Sequence, residues 1–148
     1  MKPDVTVVLE NTAAKLMFDM APQMSPPFLQ GTVTVVGLLL SMLREEWDRA
    51  ASRRVEENAI LRRLFVQAAP QVTDNGLRRR LLEAAEGRDA SVRITDLDAT
   101  NDALRRLLIE LHAHVEELDS PEARRLDEEI WRELLASTER RRFTISPF

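Results

Sequence analysis

Histidine is the side chain most often used near neutral pH to bind metals or move protons. This 148-residue chain has two, His112 and His114. Two residues apart on a helix they point about 200° away from each other, so one helix cannot offer both to a single ion. His112 can share a face with Glu116, and His114 with Glu110 or Glu117. A di-iron bundle needs Glu-x-x-His on each of two helices. Here Ile109 and Leu111 stand three residues before the histidines, so that motif is absent. Both histidines read as edge residues of a helix interface, and neither a metal nor a cofactor is expected.

The carboxylates and arginines read the same way. Glu45-Glu46, Glu56-Glu57, Glu116-Glu117 and Asp127-Glu128-Glu129 are set against arginines at helical spacing, as in Glu45 with Arg49, Asp102 with Arg106 and Glu128 with Arg132. Each such pair steadies an exposed helix by about 0.2–0.5 kcal/mol, which is the chemistry of a solvated face. Arginine doublets and triplets recur, the densest at Arg78-Arg79-Arg80, but Glu83 and Glu86 follow it. A nucleic-acid site needs one clustered basic face, and none is expected. The chain contains no glycine-rich phosphate loop, no Gly-x-Ser-x-Gly elbow and no His-Glu-x-x-His. A non-catalytic role is therefore the expectation.

Composition narrows the classes further. There is no cysteine, which removes disulfide frameworks, thiolate metal sites and cysteine nucleophiles together. The formal charge of −4 is a small difference between 25 acids and 21 bases spread along the chain, so no strong single-sign field is expected. Two tryptophans, five phenylalanines and no tyrosine give little material for a base-stacking platform. No secretory signal is read in Met1–Glu10, and a cytoplasmic location is expected. Residues 20–43 carry no charge, but the dense apolar part is only Thr32–Leu43, preceded by Pro22, Pro26 and Pro27. That is short of the roughly 20 apolar residues of a membrane span, so membrane association is not expected.

The most informative polar residues are Asn58 and Asn101. Each interrupts an otherwise apolar stripe of a long helix. A buried amide is costly unless hydrogen-bonded, so both are expected to be buried and bonded, fixing helix register. The surrounding strings, Asn58-Ala-Ile-Leu-Arg-Arg-Leu-Phe65 and Asn101-Asp-Ala-Leu-Arg-Arg-Leu-Leu108, resemble each other. Arginine-rich helices produce such likeness by chance, and no duplication is inferred.

The elements that must position these residues are helical throughout. Apolar residues at helical spacing predict a first helix from Val5 to about Met20 behind an Asp4 cap, and a long second one from Thr32 to Ala69, stopped by Pro70. A break near Gly37 is open to it. Its stripe runs Val33, Val36, Leu40, Leu43, Trp47, Ala51, Val55, Asn58, Leu61, Phe65 and Ala68. A short third helix fits Asp74–Glu86, a fourth Ser91–Leu118, and a fifth starts at Ser120-Pro121-Glu122. The fold expected is all-α: one domain over residues 1–148, an antiparallel bundle of four main helices with one short helix, and a tail at 143–148.

Residues 32–43 are apolar nearly all round, and such a helix must be covered on every side. The expected function is a non-catalytic scaffold or protein-interaction module that self-associates as a homodimer or takes a protein partner. Val33, Val36, Leu38, Leu39, Leu40, Met42 and Leu43 are the candidate interface. The alternative is a small-molecule or acyl-chain binder, or an accessory subunit of an enzyme, whose cavity those side chains would line.

Overall fold

A computed structural model of the chain describes residues 3–144. Among them are five α-helices and no strand: α1 (Val5–Ala14), α2 (Pro27–Ala68), α3 (Asn75–Glu86), α4 (Ile94–Glu116) and α5 (Pro121–Arg141). The all-α class and the five-helix plan expected from the sequence are both present. The tail expected at 143–148 lies, from residue 145 on, outside the described residues. The chain divides into two compact units, one holding residues 1–50 and those from 142 on, the other Ala51–Arg141.

Helix starts follow the cap chemistry. Asp4 Oδ1 accepts the Thr6 and Val7 amides at 2.9 and 3.4 Å, Asp74 Oδ1 the Leu77 amide at 2.7 Å, and Ser120 Oγ the Ala123 amide at 3.0 Å. α2 begins at Pro27, five residues earlier than expected, because a proline already has the φ of a first helical position and needs no partner for a missing N–H. It continues through Gly37 without a break and ends at Ala68, where Pro70 allows only the 3₁₀ turn Ala69–Gln71.

In the first unit, α1 runs on through a π-helical turn, Lys15–Met20, and a 3₁₀ turn, Ala21–Gln23. The start of α2 then returns along it. Gly37 makes that approach close: a Cβ there would stand 2.4 Å from Met17 Cγ and 3.1 Å from the Ala13 carbonyl oxygen. Glu10 pairs with Arg44 at 3.4 Å on the same side. The Glu45 carboxylate accepts the Thr144 amide at 3.0 Å and its hydroxyl at 2.8 Å, tying Thr144 to α2.

The second unit holds the core. Leu61, Phe65 and Ala68 of α2, Leu77 and Leu81 of α3, Leu104, Leu108, Leu111 and Val115 of α4, and Ala123, Leu126 and Ile130 of α5 are buried together. The regular three-and-four spacing on α4 is what aims its leucines at one side. Each fully buried leucine or isoleucine contributes about 1.5–3 kcal/mol.

Candidate functional site

Two features stand apart from ordinary packing: a buried polar network in Ala51–Arg141 and an uncovered apolar face on residues 5–47. The network centres on Glu57, which with Asn58 is fully buried. Arg141 grips Glu57 with two donors, Nε to Oε1 at 3.1 Å and Nη2 to Oε2 at 2.7 Å. Arg105 Nη2 reaches Oε2 at 3.2 Å and donates to Ser137 Oγ at 2.6 Å, while the Ser137 hydroxyl donates to Oε1 at 3.3 Å. Asn101, also buried, donates from Nδ2 to Asn58 Oδ1 at 2.9 Å, and its Oδ1 accepts Arg105 Nε at 2.8 Å. Asn58 Nδ2 in turn donates to Asp89 Oδ1 at 3.0 Å, which also takes Arg62 Nη2 at 2.8 Å.

Burial pushes the Glu57 carboxyl toward its neutral form. The hydrogen bonds and charge of Arg141, then of Arg105, outweigh that and hold its pKa at about 2. A carboxylate this firmly ionised and saturated with donors is a poor proton acceptor. The network is suited to locking α2, α4 and α5 in register, not to acid–base chemistry.

The structure thus brings Asn58 and Asn101 into direct contact, and places Arg62 and Arg105, each one turn further on, beside an acid. Glu57 departs from the reading of Glu56-Glu57 as a solvated pair. It stands four residues before Leu61, and Leu64 and Ala68 continue the same stripe. That spacing is the signal that could have identified it. Trp47 and Val55, expected on the core stripe of α2, are exposed instead, Trp47 by 64%.

The second feature is an absence of cover. Among the described residues, twelve of the twenty exposed large hydrophobics fall in residues 5–47. Counting about 100° per residue from Gly37, Phe28, Val35, Leu39 and Leu43 lie within about 60° of the opposite direction, so this face is turned away from α1. Phe28 is 81% and Leu43 56% exposed, and Val36 is exposed beside them. Val33, Leu38, Leu40 and Met42 are half-buried. α2 with its 3₁₀ extension contains an 18-residue window of mean hydropathy 1.3, long and apolar enough to cross a membrane, and only 6% of that window is buried.

The histidines part company. His114 Nε2 accepts the Thr73 amide at 3.2 Å, just ahead of α3. His112 Nε2 lies 2.7 Å from Asp127 Oδ1 and 3.7 Å from Glu116 Oε1, and its ring packs T-shaped with that of Trp131, centroids 5.3 Å apart. An open groove of about 390 Å³ beside Ile60, Leu64 and Ala136 is bordered by Arg63, Glu129, Arg132 and Glu133, a charged rim ill suited to an acyl chain. Comparison with known proteins finds no matching family model, no matching curated protein and no matching solved structure.

Proposed function

We propose that this chain is a non-catalytic interaction module that self-associates through the apolar face of its α1–α2 hairpin. The observation that supports this most is that no described residue of the first unit larger than alanine is buried: Ala13, Ala21, Gly37 and Ala50 are its only buried positions. Two helices alone cannot enclose a core, whereas two such hairpins related by a two-fold axis make a four-helix bundle that can. A typical interface takes about 800 Å² from each partner. Half-exposed large side chains supply on the order of 80 Å² each, about half of what a buried aromatic covers, so about ten of them suffice.

A second copy fits this face better than lipid. Gly37, within the uncharged stretch, packs against Ala13 and Met17, which brings the exposed charges of Lys15 and Asp19 to a similar level. Inside a bilayer each would cost about 2.5–3.5 kcal/mol, while at the rim of a bundle both stay in water.

Sedimentation or light scattering over a range of concentrations tests the reading. The wild-type chain is expected to be a dimer. Leu39→Arg, in the middle of the exposed face, is expected to shift it toward monomer while circular dichroism keeps its helical signal. A wild-type monomer at high concentration, or a chain that floats with neutral liposomes, overturns it.

A further inference from the structure

We propose that His112, Glu116 and Asp127 form a binding site for one divalent transition-metal ion, bridging α4 to α5. Their candidate ligand atoms, one from each side chain, all lie within 4.8 Å of one another. His112 and Glu116 are one helical turn apart on α4, so their side chains project from the same face. Asp127 arrives from α5. Bond lengths near 2.0–2.2 Å to nitrogen and oxygen put neighbouring ligands of a tetrahedral ion roughly 3.3 Å apart. His112 Nε2 and Glu116 Oε1, at 3.7 Å, need to close by a few tenths of an ångström. His112 Nε2 and Asp127 Oδ1, at 2.7 Å, need to open by a similar amount, which the partly exposed Asp127 side chain can provide.

The neighbours are arranged for such a role. The His112 and Trp131 rings pack T-shaped, with centroids 5.3 Å apart and planes at 82°, a contact that favours the imidazole orientation seen here. Glu116 is 61% exposed, which leaves the remaining coordination positions open to water. One imidazole nitrogen with two carboxylate oxygens suits zinc, cobalt(II), manganese(II) or iron(II), whereas calcium wants six to eight oxygens and copper(I) wants sulfur. The site lies wholly within Ala51–Arg141 and does not depend on the self-association reading.

The test is calorimetric titration of the chelator-treated full chain with zinc sulfate, with cobalt(II) absorption as a second readout. One zinc per chain is expected, with visible cobalt bands of a four- or five-coordinate ion. Binding should weaken about tenfold or more in His112→Ala and in the near-isosteric Asp127→Asn, and stay unchanged in His114→Ala. Saturable binding absent up to about 1 mM zinc, or retained at full strength in both His112→Ala and Asp127→Asn, overturns the proposal. So does loss of binding in His114→Ala alone. If His112→Ala does not fold, Asp127→Asn and Glu116→Gln decide by the same criterion.

Discussion

Replacing Glu57 with glutamine removes one negative charge from the polar network while keeping the side chain's shape. In the wild type the carboxyl has a pKa of about 2 instead of 4.5. At about 1.36 kcal/mol per unit, that shift corresponds to roughly 3 kcal/mol. Part of it is screened, because Arg141 is partly exposed to solvent, so about 2–3 kcal/mol is the expected loss at pH 7. For a chain of this length that lowers the unfolding midpoint by roughly 5–10 °C. The sign with pH follows from the depressed folded-state value. The contribution is complete above the unfolded-state pKa near 4.5 and disappears as pH falls through 4.5 toward 2. Wild type and Glu57→Gln should therefore differ fully at pH 7 and 5, less at pH 3.5, and little at pH 2.5. Urea unfolding followed by far-ultraviolet circular dichroism at those four values measures this. A variant within about 0.5 kcal/mol of wild type at pH 7, or a gap that does not narrow in acid, would refute the account of Glu57 as a stabilising buried anion.

Three further substitutions test the packing of the two units. Gly37→Leu places a branched side chain where even a Cβ meets Met17 and the Ala13 carbonyl; residues 1–50 should then be cleaved sooner in limited proteolysis, and cleavage at the wild-type rate would contradict the close helix approach. Phe65→Ala should cost about 3–5 kcal/mol in urea unfolding, since the ring is fully buried, whereas Val66→Ala next to it, on the exposed side of α2, should cost less than about 0.5 kcal/mol; equal losses would mean that α2 faces the core differently.

Much of the fold was legible in the sequence because its signals are local. The three-and-four spacing from Ile94 to Leu118 marks the inward side of α4: Leu97, Asn101, Leu104, Leu108, Leu111 and Val115 are buried, whereas Ile94 at its first turn is exposed and Leu118 beyond its end is half-buried. Asp74, Ser120 and Pro70 announce helix ends through backbone chemistry that each completes within a few residues. Trp47 was misplaced for the same reason. Periodicity says which residues share a side of α2, but not where along the helix its covering neighbours stop.

The sites needed more than spacing. The sequence determined that Asn58 and Asn101 interrupt apolar stripes, that His112 and Glu116 share a helix face, and that residues 20–43 carry no charge. Spacing can put Glu57 on the apolar side of α2, but only the tertiary structure decided that it stays ionised there, because that depends on Arg105 and Arg141, 48 and 84 residues further along the chain. Only folding brings Asp127 to His112, since the two stand on different helices. The same holds for the apolar face of α2: hydropathy requires that such side chains be covered, but whether a chain covers them itself depends on how many neighbouring helices reach them. Among the described residues of the first unit, α1 and the π-helical turn after it pack along that stretch of α2 on the Gly37 side, and Phe28, Val35, Leu39 and Leu43 on the opposite side are exposed.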